Sequence, residues 1–96
     1  MALLDDVKVA LRISDTNTAF DGEVSDLISA AQRDLLVAGI KVTDETDALI
    51  KRAIVTYCKA HFGYDNPEAE RFEKAYNAIK LHLMLSSEYG GTADAV

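Results

Sequence analysis

Cys58 and His61 stand three residues apart in "YCKAHFGYDNP". On a helix that spacing places both side chains on one face. A thiolate beside an imidazole is a nucleophile with its base, or half of a metal site. Neither chemistry finds its remaining parts here. Zinc takes about four ligands in a structural site and about three in a catalytic one. This chain has no second Cys, and its other His is His82, well round its own helix from the core line. A reactive thiol also needs an electropositive, partly open setting. Cys58 falls in mid-helix within a broad apolar face, so core packing is the favoured reading, with His61 hydrogen-bonded or at the rim.

The carboxylates are read the same way. Asp5-Asp6 and Asp44-Glu45-x-Asp47 would need a tight loop or a facing helix to hold a hard cation. Both clusters sit where helices are predicted to start, and acids there complement the helix dipole. A Gly-rich phosphate loop, G-x-S-x-G, H-E-x-x-H and a paired C-x-x-C are all absent from the sequence. The residues therefore predict no catalytic group, no metal and no cofactor.

The elements that carry these residues are read from composition and period. Ninety-six residues suffice for one small domain with one core. One Pro and five Gly are too few for a turn-rich sandwich and favour helices. A formal net charge of −6 makes a poor grip on a phosphate backbone, because that affinity comes from Lys and Arg displacing counterions. The lone Cys suits a reducing compartment. Two Asp interrupt the first apolar stretch, against a signal peptide, and no apolar run approaches the roughly 20 residues of a membrane span.

Four helices are predicted. The first covers about residues 2–12, with Leu4, Val7 and Leu11 on one side. The second covers about 19–38, with Val24, Leu27, Ile28, Ala31 and Leu35 in line and Gly39 placed for a left-handed cap. Thr43 or Asp44 is expected to cap the third, about 45–63, after a brief extended piece at residues 40–42. That helix is apolar over most of its girth through Leu49, Ile50, Ala53, Ile54, Tyr57, Cys58, His61 and Phe62, so it should lie in the middle of the bundle. Gly63 is expected to end it, and Pro67 to open the fourth, about 67–86, with Phe72, Tyr76, Ile79 and Leu83 in line. The expected core is Val7, Leu11, Leu27, Ile28, Ala31, Leu35, Ile50, Ile54, Tyr57, Cys58, Phe72, Tyr76, Ile79 and Leu83. The fold class is all-α, a compact bundle of about four helices. Residues 1–89 form the domain and 90–96 a flexible tail.

The fourth helix has a second apolar stripe, Ala78, Leu81 and Leu85, roughly opposite the first. The first helix or the tail could fold over it, or another subunit could cover it. A DNA-reading helix–turn–helix is disfavoured, because the connector between helices two and three is long and acidic and the third helix is too apolar to serve as a reader.

The opening "LLDDVKVALRI", then "VSDLISAAQRDLLVAGI", then "IKRAIVTYCKAHFGYDNPEAERFEKAYNAIKLHLMLSSEY" resemble the small head–tail connector proteins of tailed bacteriophages, also called head completion or adaptor proteins. The matching positions are Leu4, Val7, Lys8, Leu11, Arg12 and Ile13, then His61, Phe62, Tyr64 and Asn66. Pro67 and "EAERFEKAY" resemble versions from phages and prophages of Gram-positive bacteria. The likeness covers about residues 3–89 and rests mostly on packing positions.

The resemblance implies a non-enzymatic subunit of a homo-oligomeric ring at the virion neck, made in the host cytoplasm. The ring would dock under the portal protein, extend the DNA channel and meet a stopper or tail completion protein. DNA would pass through its lumen without sequence-specific binding, and no membrane would be involved. Ala78, Leu81 and Leu85 are then the candidate subunit interface, and Tyr89, Gly90 and Gly91 the candidate portal-binding tail. The alternative is a small cytoplasmic helical module that binds and regulates another protein.

Overall fold

The computed structural model describes residues 3–14, 16–40, 47–63 and 66–86. They form four α-helices: α1 Leu3–Ala10, α2 Asp21–Val37, α3 Ala48–His61 and α4 Ala69–Leu85. The fold is all-α. The expected residues 90–96 of the tail lie outside the described residues.

Each helix is shorter than its periodicity suggests, and the ends explain why. Helix α1 stops because Arg12 takes a left-handed conformation, φ +66°. The Arg12 amide then donates to Val9 O and the Ile13 amide to Lys8 O, satisfying two terminal carbonyls. Helix α2 closes in the same way. Gly39, at φ +94°, donates to Leu36 O and Ile40 to Leu35 O, and Ile40 and Leu35 are both buried against the core.

Helix α3 begins later than expected. Asp47, rather than Thr43 or Asp44, is its cap, and its carboxylate accepts from the amides of Leu49 (2.9 Å) and Ile50 (3.3 Å). Phe62 rather than Gly63 caps its far end, with Gly63 turning the chain at φ +84°. Pro67 lies in the turn before α4, where Glu68 is the residue preceding the helix. Asn66 joins the two helices. Its Nδ2 donates to Lys59 O at 2.6 Å and its Oδ1 accepts from the Glu68 amide at 3.0 Å.

Helix α3 packs against α1, α2 and α4, and α1 also packs against α2. This is the central position expected of the most apolar helix. Ile50, Ala53, Ile54 and Cys58 of α3 are fully enclosed by Leu3 and Val7 of α1, Val24, Ile28, Ala31 and Leu35 of α2, and Tyr76 and Leu83 of α4. Leu11, Leu27, Tyr57 and Ile79 pack against this cluster but are partly exposed. Phe72, counted with the core from its phase, stands outside the cluster. Its half-buried ring lies under the Lys59 ammonium (5.3 Å) and the Arg71 guanidinium (4.9 Å), a cation–π arrangement.

Candidate assembly surface

The Cys58–His61 pair is divided by burial. Cys58 has no exposed surface, and burial pushes its thiol up to about 12. A thiol held there stays protonated at neutral pH and is not a nucleophile. His61 faces outward, with its ring 4.3 Å from that of Tyr57 and its Nε2 3.9 Å from a Glu73 carboxylate oxygen. His82 is exposed on α4. Among the described residues no group of three or more His, Cys, Asp or Glu is placed to hold a metal ion.

The acids go to structural tasks. Asp6 of α1 pairs with Lys51 of α3 at 3.2 Å, and Asp47 is the α3 cap. Asp44 and Glu45 lie outside the described residues.

Two polar arrangements went unread in the sequence. Lys8 is 3% exposed. Its Nζ donates to Asn17 O at 2.9 Å and pairs with Asp21 Oδ1 at 2.7 Å, tying the α1–α2 connection to the start of α2. The signal was its position between Leu4 and Leu11 on the apolar side of α1. The second arrangement links α2 to α4. The Tyr76 hydroxyl donates to Asp34 Oδ2 at 2.5 Å, and Lys80 Nζ donates to the same oxygen at 3.0 Å. The Tyr76 bond, aided by Lys80 against the opposing effect of burial, holds the Asp34 carboxyl below its usual value. Burial first and then the Asp34 carboxylate raise the Tyr76 phenol. A buried tyrosine needs a partner for its hydroxyl, and Asp34 at the flank of the α2 core line is that partner.

With the inward faces so occupied, the outward ones stand out. Ala78 is exposed, Leu81 is 54% exposed and Leu85 64%. Helix α1 does not cover them. It packs on α2 and α3. Tyr89, Gly90 and Gly91 lie outside the described residues. On α2, Leu36 and Val37 are also exposed, Val37 at 73%. A shallow hollow of about 360 Å³ lies between the start of α2 and the end of α3, lined by Phe20, Glu23, Phe62 and Gly63. Phe20 and Phe62 meet edge to face there, with centroids 5.6 Å apart. Among the described residues no helix is long and apolar enough to cross a membrane.

These features define a small helical packing domain with spare apolar surface. The model of the phage connector protein family matches residues 3–90. The chain belongs to that family, a structural rather than a catalytic one. No curated protein and no solved structure matches it.

Proposed function

We propose that this protein is a ring-forming subunit of a phage neck. The ring docks under the portal, lengthens the DNA channel and presents a surface to the stopper or tail completion protein. Family membership together with the exposed Leu81–Leu85 stripe supports this reading. Leu81 and Leu85 are 54% and 64% exposed, so burying the remainder on a neighbour would gain about 1 kcal/mol each, energy that the isolated subunit leaves unused.

The charge balance suits a conduit. A net charge of −6 does not hold a polyanion, so DNA slides past. A ring is a head-to-tail assembly in which each subunit carries two different faces. Ala78, Leu81 and Leu85 form one of them, and the segment around Tyr89, Gly90 and Gly91 engages the portal.

Electron microscopy of concentrated protein tests ring formation, with closed rings expected. Replacing Leu81→Glu together with Leu85→Glu should abolish them while far-UV circular dichroism stays helical. Rings that persist in this variant would remove the stripe from the interface. Deletion of residues 90–96 should weaken capture by immobilised portal protein, and unchanged capture would clear the tail of that role.

A further inference from the structure

A head-to-tail ring needs a second face to receive the α4 stripe, and α2 carries a counterpart at four of five positions. The outward ridge of α4 reads Arg71, Lys74, Ala78, Leu81 and Leu85. The outward ridge of α2 reads Glu23, Asp26, Ala30, Arg33 and Val37. All ten side chains are exposed. Each ridge lies opposite the buried line of its own helix, which is Val24, Ile28, Ala31 and Leu35 on α2 and Tyr76 and Leu83 on α4.

The two ridges share one spacing. Each has a charge, a second charge three residues on, an alanine four further, and a branched apolar side chain seven beyond that, a span of about 21 Å at about 1.5 Å per residue. The charges are opposite, Glu23 and Asp26 against Arg71 and Lys74. The alanines allow close approach, and the far ends are apolar, Val37 flanked by Leu36 against Leu85 and Leu81. Arg33 departs from the match, facing Leu81, and its aliphatic stem can lie along that leucine while the guanidinium stays in water.

Direction agrees as well. The Phe20–Phe62 contact puts the start of α2 beside the end of α3, so these helices are antiparallel. Asn66 turns the chain from α3 into α4, again antiparallel. Helices α2 and α4 therefore run the same way. Rotation about an axis along the helices preserves that direction, so α4 of one copy meets α2 of the next with like polarity. The proposed register puts Asp34 level with His82, and its bonds to Tyr76 and Lys80 set it two to six residues lower, about 3–9 Å, an offset that a tilt of the helices to the ring axis takes up.

We infer that the α4 ridge of one copy docks in parallel on the α2 ridge of the next, with Arg71 and Lys74 facing Glu23 and Asp26, Ala78 facing Ala30, Leu81 lying along the stem of Arg33, and Leu85 facing Val37. This rests on the ring reading and supplies its missing half. The cations are at hand for exchange. Arg71 pairs with Glu68 and Lys74 with Glu70 (3.9 Å) along their own helix, in exposed contacts that hold little energy.

Disulfide trapping at the alanines tests it. Cys58 is buried and stays silent, so new thiols report alone. Protein carrying both Ala30→Cys and Ala78→Cys, concentrated and mildly oxidised, should give a ladder of covalent multimers. Either single variant should stay monomeric on a non-reducing gel, and mixing the two singles should stop at a dimer. A dimer from Ala78→Cys alone would mean an α4–α4 contact and overturn the inference. Rings visible in the microscope without any ladder would overturn it while leaving ring formation standing. Neither rings nor cross-links would count against self-association and so against both. Charge exchange is the second measurement. Glu23→Lys with Asp26→Lys should abolish rings, and adding Arg71→Glu with Lys74→Glu should restore them. Failure of that rescue, with circular dichroism unchanged, contradicts the pairing.

Discussion

Helices α3 and α4 are both richer in apolar residues than a helix packed on one neighbour requires, yet they dispose of the excess differently. Helix α3 has three neighbours and encloses Ile50, Ala53, Ile54, Cys58 and Ala60 among them. Helix α4 packs chiefly on α3, buries Tyr76 and Leu83, and leaves Leu81 and Leu85 in water. Apolar surface in one case builds the fold; in the other it stays exposed, the face proposed above for a partner. Substitutions on the two helices should therefore separate stability from assembly.

The largest effect should come from α3. Ile54→Ala leaves a cavity at a fully enclosed site and should cost about 3 kcal/mol in urea unfolding. A loss under about 1 kcal/mol would mean that α3 is not the centre of the core. The tie between α2 and α4 should matter less. Tyr76→Phe removes one hydrogen bond to Asp34 and should cost about 1.5 kcal/mol, the lower range for a bond to a charged group.

That tie also predicts a pH dependence. The Asp34 carboxyl is lowered from its ordinary 3.8, chiefly by the Tyr76 hydroxyl. A depressed acid contributes stability that is fully present above its unfolded value and is lost as pH falls through the folded one. The gap in stability between the wild type and Asp34→Asn should thus be constant above pH 5 and narrow below 3.8. A gap that stays fixed down to pH 2 would contradict the bond. Cys58 works in the other direction. Its raised thiol favours the folded state below about 9, and that contribution fades as pH climbs toward 12. A thiol reagent at pH 8 should label Cys58 in urea and spare it in the folded chain, and labelling of the folded protein would place the thiol at the surface.

A smaller effect concerns the end of α1. Arg12 holds a left-handed backbone that glycine adopts freely. Arg12→Gly should stabilise by up to about 1 kcal/mol, less whatever the looser unfolded chain takes back. A destabilised variant would assign the arginine side chain a packing role.

How far the sequence carried depends on what kind of signal each feature leaves. Helix number and the central place of α3 follow from period and from the width of the apolar arc at Ile50 through Cys58, because burial on a helix repeats every turn. The ends are less legible. Asp44 and Asp47 are equally good caps on paper, and the choice is made by where the α3 amides point once Ile50 is seated in the core. Phe72 fits the phase of the α4 core line, yet near the start of α4 it meets Lys59 and Arg71 rather than the core cluster. The Asp34–Tyr76–Lys80 bonds join residues more than forty positions apart, and no local pattern announces such a contact. The α4 stripe was visible as a second apolar line. Its counterpart on α2 was not, because Glu23, Asp26, Ala30 and Val37 look like an ordinary wet face until α2 and α4 are known to run in the same direction.

The proposed assembly requires that the exposed leucines of α4 serve contact between copies and not folding. Sedimentation of concentrated Leu81→Glu/Leu85→Glu protein beside the wild type tests it most directly. The wild type should sediment as a large species and the variant as a folded monomer whose unfolding midpoint equals that of the wild type diluted to monomer. A variant that still forms the large species, or one that unfolds outright, would contradict it.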